Sequence, residues 1–214
     1  MLRTKVKASS ITNLTDARYF AAMGVEWLGF NLNPQNGSVI SAASIREIEG
    51  WVEGVQIVAE YGREHWDKIR ESVLEVIPNV IQVGENCGIQ EMLELPPSVQ
   101  VIREFIIDKE TSAEQLIEEM ENLDGHVMAF AFNFMGNSLT WDHLVKGIPF
   151  SVSTLEEITA RFPVILEVDL DVPGLKACLS LSSLEGITLK GGEEEKTGFK
   201  SFEELDELFD VLMD

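Results

Sequence analysis

The chain has 214 residues, 45% of them hydrophobic, enough to bury one large core or two small ones. Its 37 acidic residues against 16 basic give a formal charge of −21, a field that repels nucleic acid and anionic membrane surfaces and slows a phosphorylated ligand unless a local basic pocket overrides it. Apolar runs such as residues 127–132 are too short to cross a bilayer, and MLRTKVKAS lacks the apolar segment of a signal peptide, so a cytoplasmic location is expected. Cys87 and Cys178 make no disulfide framework, and His65, His126 and His143 lack metal-ligand spacing, so neither a metal nor a cofactor is expected.

In chain order, short β-branched or aromatic segments predict strands over residues 6–9, 27–32, 55–59, 80–83, 101–105, 127–132, 164–170 and 187–190. Helical punctuation fills the gaps. Leu14–Met23 ends at Gly24, where a left-handed cap is expected, and Ser41 is placed to cap a helix running through Ile48. Thr111 with Glu114, and Ser201 with Glu204, fit the capping box. Eight strand-helix units without a linker or composition break suit a single-domain (β/α)8 TIM barrel over residues 1–214. No GxGxxG or Walker motif follows a strand, which weighs against the rival open nucleotide-binding sheet.

In such a barrel the chemistry belongs at the carboxyl ends of the strands, and side chains two apart point the same way. With Lys7 and Ser9 facing inward, Asn31, Gln82, Arg103, Glu167, Asp169 and Lys190 become the comparable polar positions of the mouth. Each interrupts an apolar run, where an unpaired charge is costly. Phe130, Phe132 and Phe134 alternate on one face and are expected to pack against helices, as are Trp51 and Trp66.

The segment KASSITNLTDARYFAAMGVEWLGFNLNP resembles the start of phosphoribosylanthranilate isomerase, with Lys7, Ile11, Thr12, Asn13, Asp16, Ala17, Gly24, Leu28, Gly29, Phe30 and Pro34 in register. Weaker echoes continue at Gln82, Arg103, Gly136, Trp141 and residues 163–166. The resemblance implies an Amadori aldose-ketose isomerisation in tryptophan biosynthesis, with a cysteine base on strand one and an aspartate acid on strand six. Ser9 occupies the cysteine position and Ser10 that of the following glycine. The strand-six aspartate falls among Phe130, Ala131 and Phe132, none of which donates a proton. Ser38 stands for the substrate-contacting arginine, and Glu167, Val168 and Asp169 replace a phosphate-cradling Ala-Gly-Gly. Lys190, Gly191 and Gly192 follow the family's second phosphate segment and keep an anion-binding character.

Three readings follow. A working isomerase would need relocated groups, with Glu167 and Asp169 dividing acid and base roles. The same carboxylates instead suit a salt network with Lys7 and Lys190 that fills the mouth. A barrel with weak or absent isomerase activity would then serve to bind a small polar or cationic molecule, or a protein partner, as monomer or homodimer.

Overall fold

Strands and helices alternate from the N-terminus in the computed structural model, which describes residues 1–181, 183–191, 194–196, 199–200 and 202–213. The strands are β1 (Lys5–Ser9), β2 (Trp27–Asn31), β3 (Gln56–Gly62), β4 (Val80–Val83), β5 (Gln100–Ile106), β6 (Ala129–Asn133), β7 (Val164–Glu167) and β8 (Gly186–Lys190). All pair in parallel with their sequence neighbours, and β8 pairs with β1, closing the (β/α)8 barrel. Short strands β9 (Glu194–Lys196) and β10 (Phe199–Lys200) form an antiparallel pair after β8.

The helices are α1 (Leu14–Met23), α2 (Ala42–Glu49), α3 (Trp66–Val76), α4 (Ile89–Met92), α5 (Ala113–Leu123), α6 (Trp141–Val145), α7 (Val152–Thr159), α8 (Val172–Cys178) and α9 (Glu203–Met213). Gly24 ends α1 at φ 78°, in the left-handed region open to a residue without Cβ, and Ser41 accepts from Ser44 N at 3.1 Å to start α2. At α5 the cap is Ser112, one residue later than the expected Thr111, whose hydroxyl instead closes a turn with Asp108. Ser201, the other expected cap, lies outside the described residues.

Inside the barrel Trp27, Val58, Val80, Ile102, Ala129, Ala131 and Ile165 form a closed apolar cluster. Outward-facing residues of the same strands join the helices in a second, larger core, to which Phe130, Phe132 and Phe134 belong, as expected. Trp51 differs from expectation: it stands 65% exposed just past α2, where no helix covers it. No helix among the described residues is long and apolar enough to cross a membrane.

Candidate functional site

Above the apolar cluster the inward positions turn polar, and the register sets them side by side: Lys7 opposite Thr188, Glu60 opposite Gln82, and Asn133 opposite Glu167. At the centre, Lys7 is wholly buried. Its ammonium donates to Gln82 Oε1 and Glu167 Oε1 and lies 3.0 Å from Glu60 Oε1, so three acceptors surround its three N–H groups. Burial disfavours the charge, but Glu167 and Glu60 more than offset that cost and hold the Lys7 pKa above its ordinary value. Gln82 Nε2 donates to Glu167 Oε1 at 3.1 Å and the Thr188 hydroxyl reaches the same oxygen at 3.4 Å.

Glu60 ties this centre to the end of β1. It accepts from the Ser9 hydroxyl at 2.7 Å and from Ser10 N at 3.1 Å, while Ser10 sits at φ 57°. A non-glycine residue in that left-handed region carries strain. The carboxylate has room because β2 presents Gly29 beneath it: a Cβ on that residue would fall 2.2 Å from Glu60 Oε1. Ser9 is thus a hydrogen-bond donor to a carboxylate, with no histidine or other strong base to make it a nucleophile.

A third carboxyl, Glu104, lies on β5 and accepts from Asn133 Nδ2 at 2.6 Å, while Asn133 Oδ1 accepts from Gly136 N at 2.8 Å. Burial first, then the charge of Glu167, push the Glu104 pKa above the usual carboxylate range; the Asn133 hydrogen bond and Lys7 oppose them. A raised pKa favours the protonated form, which is the form able to donate a proton.

Ser9, Lys7, Gln82 and Glu167 therefore meet where the sequence placed them, and the expected Lys7–Glu167 ion pair is present. Asn31 also faces inward but works locally, donating to Ser38 O at 3.1 Å and accepting from Asn33 N at 3.0 Å to brace the loop after β2. Arg103 is a correction. Glu104 and Arg103 are adjacent, and it is Glu104 that takes the inward side, because Ile102 faces the inner cluster two residues earlier. The guanidinium points away from the axis and donates to Gly84 O and Cys87 O. Asp169 and Lys190 are exposed and have no ion-pair partner among the described residues: Asp169 lies two residues past the end of β7, and Lys190 is the last residue of β8. The network is thus built on Glu60 instead of Asp169 and Lys190. Gly191 follows β8, and Gly192 lies outside the described residues.

The sequence reading missed Glu60, Glu104, Asn133 and Thr188. Extending strand three past Ala59 and strand six past Phe132 by the same alternation would have revealed Glu60 and Asn133. The inward positions of β6 are Ala129, Ala131 and Asn133, so this strand offers no carboxyl to the site. Among the described residues no cluster suited to a metal ion occurs.

Beside this centre, over the ends of β6 to β8, opens a cavity of about 1120 Å³ whose wall includes Thr140, Trp141, Thr188 and Lys190. Asp142, Asp169, Asp171, Glu203, Glu204 and Glu207 also line it, leaving Lys190 as the one cation among its described lining residues.

No family model and no curated protein matches the sequence. Solved structures do match. The enzyme described as phosphoribosyl anthranilate isomerase from Thermus thermophilus superimposes with a TM-score of 0.73 at 24% identity, over 98% of each chain. That from Thermococcus kodakaraensis gives 0.77 at 15% identity over 99% of each, and that from Thermotoga maritima 0.72 at 19% over 98% of each. The fold is that of phosphoribosylanthranilate isomerase. The match runs end to end, over 98–99% of each chain, so it takes in the whole barrel and not a part of it.

Proposed function

We propose that this chain is a phosphoribosylanthranilate isomerase-like barrel whose own aldose-ketose isomerase activity is weak or absent, and whose mouth binds a small polar or cationic molecule. The observation that carries the reading is the closed state of Lys7: buried, with its three N–H groups facing Glu60, Glu167 and Gln82, it has none left for a substrate. The Ser9 hydroxyl replaces a thiol and is itself engaged by Glu60. Amadori chemistry needs one group to protonate the ring oxygen and another to remove a proton from the adjacent carbon, and neither family group remains at its position. A cavity wall rich in carboxylates favours polyols and amines over sugar phosphates.

A turnover assay with phosphoribosylanthranilate tests this directly. The expected kcat/KM lies well below about 10⁴ M⁻¹ s⁻¹, the lower end of ordinary enzymes; a value inside the ordinary range would overturn the reading. A thermal-shift screen is expected to show stabilisation by polyols or polyamines and none by sugar phosphates.

One observation favours a second reading. Glu104, with its pKa raised by burial and its carboxyl accepting from Asn133, lies across the mouth from the Ser9–Glu60 pair, where its protonated form would serve as the acid. Under that reading the barrel isomerises a non-phosphorylated sugar with relocated groups, and Glu104→Gln abolishes whatever turnover the unmodified protein shows.

A further inference from the structure

Arg103 is 7% exposed, yet it has no carboxylate in ion-pair contact among the described residues. One of its terminal nitrogens, Nη1, takes the carbonyls of Gly84 and Cys87, which anchors the group without neutralising it. Its Nε is buried and has no hydrogen-bond partner. The Phe105 ring, with its centroid 5.7 Å from the guanidinium carbon, supports the group from one side. A buried guanidinium with an orphaned donor is costly to keep unless something planar and anionic completes it, and the fork of N–H groups matches a carboxylate.

Arg103 forms part of the wall of a cavity of about 310 Å³ between the loops that follow β4 and β5. The other cation there, Arg63, is already paired with Glu85 at 3.1 Å. On the far wall Glu119, on α5, has no ion-pair partner among the described residues, and its charge is the foremost of those that favour the Arg103 cation. Phe105, Ile106 and Leu116 add apolar surface, and Ser112 and Gln115 add neutral polar groups. Glu85, Glu104, Asp108 and Glu110 line the same cavity, so a ligand has to bring an anion for the Arg103 fork and a cation for the acidic wall, which describes a dipolar ligand.

We propose that this cavity binds a small amino carboxylate, with its carboxylate on Arg103, its ammonium towards Glu119 and its side chain against Phe105, Ile106 and Leu116. The site stands apart from the carboxylate-lined cavity over β6 to β8, and its occupancy does not depend on whether the barrel isomerises anything.

The test is calorimetric titration of the intact protein with each of the standard amino acids, followed by the deaminated acid and the decarboxylated amine of the best binder. At least one amino acid is expected to bind, and each truncated probe to bind about tenfold more weakly or worse. Arg103→Lys, which keeps the charge and loses the fork, is expected to weaken binding about tenfold. Glu119→Gln, on an exposed helix face where folding is unaffected, is expected to weaken the amino acid while leaving the deaminated acid unchanged. The proposal is overturned if no amino acid binds at millimolar concentration, if the deaminated acid binds as tightly as its parent, or if both variants keep full affinity.

Discussion

Two buried cations, Lys7 on β1 and Arg103 across the barrel on β5, are treated in opposite ways. Lys7 is enclosed by Glu60, Glu167 and Gln82, while Arg103 is held only by two backbone carbonyls and keeps a buried donor unsatisfied. A compact ammonium on a flexible stem can be surrounded by three acceptors; a planar guanidinium needs a matched plane and does not find one here. The centre of the mouth is thus complete in itself, and its β4–β5 edge is not.

The largest expected effect breaks the complete side of this contrast. Lys7→Met leaves Glu60 and Glu167 buried without their cation and should cost about 3–5 kcal/mol in urea unfolding. Arg103→Met removes two carbonyl contacts but also an unpaired charge, so its cost should be about 1–2 kcal/mol. Equal losses for the two variants would dissolve the distinction.

The pH dependence sharpens it. Glu104 holds its proton more tightly folded than unfolded, so below the ordinary carboxylate range both states are protonated and the group is neutral to stability. As pH rises from there towards the raised folded value, the unfolded chain releases the proton first and stability falls. Denaturation midpoints measured from about pH 5 to pH 8 should therefore decline, and Glu104→Gln should flatten that slope. The smallest effect concerns the strained corner beside Glu60: Ser10→Gly, free of the positive-φ penalty, should raise stability by up to about 1 kcal/mol and keep the backbone N–H to Glu60.

How far the sequence could reveal this depended on which kind of signal each residue carried. The barrel was legible because eight apolar segments with capped helices between them admit few other closures, and Lys7, Ser9, Gln82 and Glu167 were legible because each is the polar member of a two-residue alternation. Arg103 and Glu104 defeated that logic. Both faces of a parallel barrel strand are buried, so hydrophobicity does not fix the phase, and two charged neighbours leave the choice to the tertiary register. Glu60 and Asn133 were hidden by strand ends drawn too early, and Asp169 by one drawn too late. The distinction between a paired and an unpaired cation was out of reach altogether, since it depends on groups far apart in the chain, such as Lys7 and Glu167, meeting in space.

The bare backbone of Gly29 leaves Glu60 the space it occupies. A side chain at position 29 would push the Glu60 carboxylate out of its place, whereas the glutamate can leave without any change at 29. A bulkier residue on the second strand would therefore loosen the Lys7, Ser9 and Ser10 contacts of Glu60 without touching any of the three.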